Sequence, residues 1–258
     1  MMQGASKKLG FATILVLFFL IALLVTAPAR LLHLAPLPKG IAVYDVTGSL
    51  WQGQAGQISV ELPNTPKALR LHNVSWDLSF WSLLTGQLHT SLELPELNNV
   101  VSGELILTAG RGGVTISDAD LGGRIADSIS TFNIPAPLTV DGRWQAQIDR
   151  FQPEGGTNLC KTLQAQVRGQ QVALKINQNW QDLGNYQLNL GCNQGAVTVL
   201  MNGDNMMGLM LDSAINRSQS TIAGSLQPKP EAPEKVTELL VYVGKPDAQG
   251  RYNFAFKL

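Results

Sequence analysis

The residues that could do chemistry in this sequence are few and poorly spaced for it. His33, His72 and His89 are the three histidines. They lie far apart and lack the H-x-x-x-H spacing that sets two imidazoles on one helix face. No G-x-S-x-G elbow is present, so a hydrolase triad has no nucleophile. Gly110 to Gly113 reads GRGG, which fits neither phosphate-loop spacing. Asp118 and Asp120 share a face if their segment is a strand and could hold a cation between them; an acidic strand end is the simpler reading. Asn202-Gly203-Asp204-Asn205 lacks the spaced acids and terminal Glu of a calcium loop and reads as a turn. The expectation is therefore a protein with no catalytic, cofactor-binding or metal site, and not an enzyme. The one reactive pair is Cys160 and Cys192. No C-x-x-C accompanies them, so a zinc site is disfavoured, and in an oxidising compartment they are expected to form one disulfide.

That compartment is set by the N-terminus. Leu9 to Ala27, LGFATILVLFFLIALLVTA, carries no charge over 19 residues. A helix of that length spans about 28 Å, close to the thickness of the hydrocarbon core of a bilayer. Lys7 and Lys8 precede it, which by the positive-inside rule keeps the N-terminus in the cytoplasm. The expected organisation is a cytoplasmic tail over 1–8, a transmembrane helix over 9–27 and a periplasmic β-rich domain over 28–258. Ala27-Pro28-Ala29 also fits a signal-peptidase site, but the apolar run is longer than most signal cores, so a retained anchor is favoured. A pilin-type leader fits less well: Leu15 stands where that class carries Glu, and Pro28, Pro36 and Pro38 stop the helix early.

Beyond position 40 the pattern has period two, as in half-buried strands. Val140, Trp144, Ala146 and Ile148 oppose Asp141, Arg143, Gln145, Gln147 and Asp149. His72, Val74, Trp76, Leu78 and Phe80 form a similar set, as do Tyr186, Leu188, Leu190 and Cys192, and Leu209, Leu211 and Ile215. Arg251 to Leu258 alternates again at the C-terminus. Short Gly, Asn and Asp turns separate these runs, so the expected fold is all-β and mainly antiparallel, as an elongated curved sheet. Two short helices are expected, over Ala119 to Phe132 and over Pro233 to Val243. The five tryptophans fall mainly in strand patterns and read as core or groove lining.

Charge excludes one class of partner. Lys plus Arg and Asp plus Glu both total 19, and beyond the apolar run 17 basic residues face 19 acidic ones, so no basic field exists to hold nucleic acid.

Three motifs carry a resemblance over essentially the whole chain. They are Val46-Thr47-Gly48-Ser49-Leu50-Trp51-Gln52-Gly53, then V-S-W-D-L … L-L-T-G-Q-L within Leu71 to Leu94, then LVYVGKPDAQGRYNF over Leu240 to Phe254. With the short tail and single anchor, this succession resembles the protein N family of the type II secretion system, with Ser49 where the family more often has Thr. The resemblance implies an accessory component of the inner-membrane platform that helps export folded proteins from the periplasm. It implies partners among the other platform proteins, a single-pass membrane topology and no catalytic residues. The W-x-L … L-L-x-G-x-L pattern also resembles AsmA-like envelope proteins, which implies instead an apolar groove for lipid. An outer-membrane barrel is disfavoured by the anchor and by the terminal Leu258.

Overall fold

The computed structural model describes residues 14–19, 21–34, 40–61, 68–134, 138–217 and 220–257. Thirteen strands among them form one antiparallel sheet whose spatial order is the order of the sequence. They are β1 (Ile41–Gly48), β2 (Gln52–Glu61), β3 (Ala68–Leu78), β4 (Leu88–Leu94), β5 (Ser102–Gly110), β6 (Gly113–Arg124), β7 (Thr139–Pro153), β8 (Cys160–Ile176), β9 (Asn179–Asn193), β10 (Ala196–Asn202), β11 (Met210–Ile215), β12 (Thr221–Leu226) and β13 (Tyr252–Lys257). No pairing joins β13 back to β1 among the described residues. The all-β, antiparallel reading of the sequence is thus the architecture found.

The sheet departs from regular pleating at defined places. Asp45 and Asn73 both have φ of 54°, and with Gly56 they fall at one level of β1–β3 where the pairing is interrupted. Further along, the register shifts at Glu104/Ile106, Asp141/Arg143, Ile148/Arg150 and Gly169/Val172. Bulges of this kind bend a strand and raise its twist. They are concentrated in β7, β8 and β9, the longest strands.

Hairpin β8–β9 is closed at both ends. Asn177 and Gln178 link the strands with φ of 48° and 68°, the two positive values that a type I′ turn requires. At the open end Cys160 is joined to Cys192, with Cα atoms 6.1 Å apart. Cys160 is fully buried.

Both expected helices are shorter than expected. Strand β6 continues through Arg124, so only Ile125–Thr131 is helical. The paired Gly122-Gly123, poor helix formers, lie in that strand. The C-terminal segment is a single α-turn, Glu234–Thr237, followed by a 3-10 turn, Glu238–Tyr242, with Pro233 as N-cap instead of first helical residue. Gly244 does stand just past its end, where its N–H donates to the Leu240 carbonyl at 3.3 Å. A third helix, Phe80–Leu84, begins where the sequence pattern extended β3 to Phe80.

The buried core sits at one end of the sheet. Val236 and Leu240 of the C-terminal helical segment pack on Ile176 of β8, Leu183 of β9 and Met207. Because neighbouring strands are antiparallel, alternate connections fall at opposite ends. This core end carries the helix Ile125–Thr131 and the 177–178 turn; the other end carries the β1–β2 turn, the helix Phe80–Leu84 and the Arg111-Gly112 turn.

Asp247 organises the entry to β13. Its carboxylate accepts N–H bonds from Gln249 and Arg251, both at 2.9 Å, and from Asn253 Nδ2 at 3.1 Å. The backbone N–H of Arg251, more than the other donors, holds this carboxyl below the usual carboxylate range. A depressed folded pKa stabilises the fold above the unfolded value of about 3.9, and the contribution is lost as pH falls through the lower folded value. Asp247→Ala is therefore expected to speed amide exchange across β13 at neutral pH while β7–β9 stay protected. In the parent chain, acidification below about pH 4 should reproduce that pattern. Unchanged exchange in β13 would refute it.

Helical residues 14–19 and 21–25 lie within the expected anchor. Among the described residues no helix is long and apolar enough to cross a membrane. Residues 9–13 and 20 of the expected anchor, and the whole expected tail 1–8, lie outside the described residues.

Candidate functional site

Two places on this sheet bring together residues that the sequence singled out. The first is the turn between β1 and β2, Gly48 to Gly53. Gly48 has φ of 87°, a conformation that costs glycine little. The Ser49 N–H donates to the Gln52 carbonyl at 2.8 Å, and the Gln52 N–H donates back to Ser49 Oγ at 2.9 Å. This locks the turn, and the residues at its tip then reach in two directions.

Toward the N-terminal helix, the Leu50 N–H donates to the Ala27 carbonyl at 2.8 Å, and Trp51 Nε1–H donates to the Leu24 carbonyl at 2.9 Å. Carbonyls at a helix C-terminus have no partner within the helix, so this turn caps it. Ala27 and Ala29 are buried, and Pro28 bridges to Ser49. Toward the sheet, Trp76 Nε1–H donates to the Leu50 carbonyl at 3.1 Å. The Leu78 N–H donates to the Trp51 carbonyl at 2.6 Å, and Gln52 Nε2–H donates to Asp77 Oδ2 at 2.7 Å. Any side chain at Gly53 would overlap the Trp76 ring. The G-S-L-W-Q-G and V-S-W-D-L segments are thus the two halves of one clasp between the apolar N-terminal segment and the sheet.

The second place is an apolar groove of about 830 Å³ at the core end. Trp144, Val167, Leu174, Leu188, Leu209 and Val243 line it, between the helix Ile125–Thr131 and the C-terminal helical segment. Trp144 lies over Gly123, where a side chain would press on its ring. Its Nε1–H donates to Ser128 Oγ at 2.7 Å. This bond anchors the helix to the sheet, and at Gly123 a side chain would also collide with the Val100 backbone carbonyl. Tyr186 also lines the groove; burial, then the nearby Asp182 charge, pushes its phenol up to about 12, so it stays uncharged at physiological pH. The groove can hold apolar matter and offers no acid–base pair.

Trp144 is only half-buried. Trp144→Ala should therefore cost less than the roughly 3–5 kcal/mol of a fully buried tryptophan. Ser128→Ala, which removes one hydrogen bond, should cost about 1 kcal/mol. Chemical denaturation of both variants checks the ordering, and a loss for Trp144→Ala inside or above that range would contradict the groove assignment.

The remaining residues singled out from the sequence stay apart. The His72 backbone N–H donates to Asn99 Oδ1 at 2.7 Å, and His89 Nδ1 lies 3.1 Å from Thr108 Oγ1. For His33 only the backbone is described, in a 3-10 turn, Ala29–Leu34. Asp120 accepts from Gln145 Nε2 at 2.9 Å, and Asp118 has φ of 48° in the bulged part of β6. Among the described residues no cluster of three or more metal-ligating side chains occurs. Asn205 uses its amide to bridge Leu209 through N–H and carbonyl, as a turn residue does. Contrary to the core reading of the tryptophans, Trp81 is 75% and Trp180 is 48% exposed. Sequence reasoning missed Ser128 and Asn99, which have no signature beyond being small and polar.

The geometry of the clasp accounts for the motifs, and comparison with known proteins bears on what they belong to. The family described as Type II secretion system (T2SS), protein N matches residues 39–255. The chain belongs to this family. It is 24% identical to the type II secretion system protein N of Vibrio cholerae, over 96% of this chain and 97% of that protein. It is 26% identical to the protein N of Aeromonas hydrophila, over 97% and 98%, and 26% identical to that of Klebsiella pneumoniae, over 95% and 93%. No solved structure matches. In this chain two of the segments that carried the resemblance, G-S-L-W-Q-G and G-K-P-D-x-x-G-R-Y around Asp247, are held by the local hydrogen bonds described above.

Proposed function

We propose that this type II secretion component is an accessory protein of the inner-membrane platform, held there by residues 9–27. On this reading residues 1–8 are cytoplasmic, 28–258 are periplasmic, and neighbouring platform proteins are its partners in the export of folded proteins. The observation that carries it is the clasp: a β-turn caps the last turn of an apolar helix and ties it to the sheet. A segment destined for removal has no need of that connection. The burial of Ala27 and Ala29 supports retention in the same way. The absence of an acid–base constellation from the groove fits a part that acts by contact.

The test is made in the host bacterium. A strain lacking the chain should accumulate secreted proteins in its periplasm, and the full chain should restore their export. The protein should stay with the membrane through alkaline carbonate extraction, and alkaline phosphatase fused after Leu258 should be active. Normal export in the null strain would overturn the secretion role; release by carbonate would overturn the anchor.

A second reading, an envelope module that holds an acyl chain, is favoured by the groove alone. Its size is that of a small-molecule site and its walls are apolar. Lipid retained by the detergent-purified protein and lost on substituting Leu174 by Glu would support it; a lipid-free native protein would count against it.

A further inference from the structure

The exposed apolar residues at the clasp end of the sheet form a continuous patch. The helix Phe80–Leu84 packs beside the clasp through an edge-on contact of the Phe80 and Trp51 rings, with centroids 5.1 Å apart. Phe80 also meets the Trp81 ring edge-on at 5.6 Å. Trp81 itself is 75% exposed and Leu84 67%, and Leu83 is exposed as well. A run of apolar side chains thus leads from the last turn of the N-terminal helix, through Trp51 and Phe80, to a short helix facing solvent. Such patches mark interaction sites.

Carboxylates are sparse at this end of β1–β6, where Asp77 is held by Gln52. From Val46 to Val60, from Leu78 to Leu92 and from Leu105 to Ser117 the sequence contains no Asp or Glu. These are the stretches that contain the turns at the clasp end of β1–β6. Arg111 stands exposed at the tip of the β5–β6 turn, on the same rim as Leu84. The opposite end of the same strands carries Glu61, Glu96 and Glu104. Exposed Trp and Leu beside a cation, with the Asp77 carboxylate taken up by Gln52 Nε2, make up the composition of a segment that lies at a bilayer surface, where indole rings settle at headgroup level.

We propose that the helix Phe80–Leu84 rests in the headgroup layer of the membrane that holds the N-terminal segment, with Trp81, Leu83 and Leu84 among the upper acyl carbons and Arg111 at the phosphates. The inference rests on the reading of residues 9–27 as a retained anchor. It adds a second contact, which fixes the tilt of the sheet: strands β1–β6 stand with their clasp end on the bilayer and the apolar groove at the far end, away from it.

The native cysteines are bonded to each other, so one introduced thiol can be labelled alone. The full chain is reconstituted in vesicles of phosphatidylethanolamine and phosphatidylglycerol. A polarity-sensitive fluorophore is attached in separate variants at Leu84→Cys, Leu23→Cys and Tyr242→Cys. The label at position 84 is expected to show a blue-shifted emission, loss of quenching by aqueous iodide and quenching by lipids brominated near the headgroup. The label at 23 should be shielded from iodide, and the label at 242, whose native tyrosine is 85% exposed at the far end, should be quenched as in water. A shielded 23 with a fully iodide-quenched 84 overturns the interfacial helix and leaves the anchor standing. Iodide quenching at both 23 and 84 overturns the anchor and the inference with it. Circular dichroism of each labelled variant, compared with the parent, ensures that only folded protein is scored.

Discussion

Replacing Cys160 and Cys192 together by Ala is expected to lower the stability of the folded sheet by about 3–4 kcal/mol. The bond spans 32 positions of sequence, and in the chain-entropy account the stabilisation comes from constraining that loop in the unfolded chain. Its place in the fold makes the loss consequential. Strands β8 and β9 make the longest pairing on the far side of β7, interrupted by two register shifts. A strand pair with shifts has alternative registers available, and the bond excludes them by fixing the open end while the 177–178 turn fixes the other. Denaturant unfolding of the oxidised parent, the reduced parent and the double variant should place the last two together, well below the first. Equal midpoints for oxidised and reduced protein would defeat the prediction.

Leu240→Ala is expected to cost about 2–5 kcal/mol, as for a leucine truncated within a packed core. Leu240 is 6% exposed and joins Val236, Ile176, Leu183 and Met207 in the one buried cluster described. The C-terminal helical segment has a single α-turn and a 3-10 turn, too few residues to be stable alone, so its place depends on this packing. Loss of Leu240 should also loosen the wall that Val243 gives the groove. Tyr242→Ala, two residues on and exposed, should stay within about 0.5 kcal/mol of the parent. Thermal unfolding of both variants gives the comparison; similar losses for the two would mean that the segment does not pack as described.

Much of this fold was legible in the sequence because an antiparallel meander keeps neighbours in sequence as neighbours in space. The alternation around Trp144 and around Tyr186 marked β7 and β9 directly, and the even cysteine pair marked its own bond. The family was legible for a related reason: two of the motifs form local hydrogen-bonding units in this chain, and such units demand particular residue types at fixed spacing. What was not legible lies where a long-range contact overrides the local pattern. Leu121, Ile125 and Ile129 have helical spacing, yet Leu121 is in a strand, paired with Ala146 of β7, and Gly123 lets the Val100 carbonyl and the Trp144 ring approach. Phe80 continued the alternation of β3, but its ring turns to Trp51, and the chain becomes helical there. The groove combines residues from β7 to β12 and the C-terminal segment, and no short window of sequence contains it.

The strict serial order of the strands has a mechanical consequence. The two ends of the chain leave from opposite edges of the sheet, so tension between them acts across the strands, in line with the ladder hydrogen bonds. Bonds loaded that way fail a few at a time, like a zip, instead of sharing the load as they do in shear. A pull on the C-terminal end strips β13, then β12, β11 and β10. When the load reaches Cys192, the covalent link passes it directly to Cys160, so the chain between the two cysteines carries none of it. The extensible length of the chain is therefore shortened by the β8–β9 hairpin, which cannot pay out as slack while its ends are bonded.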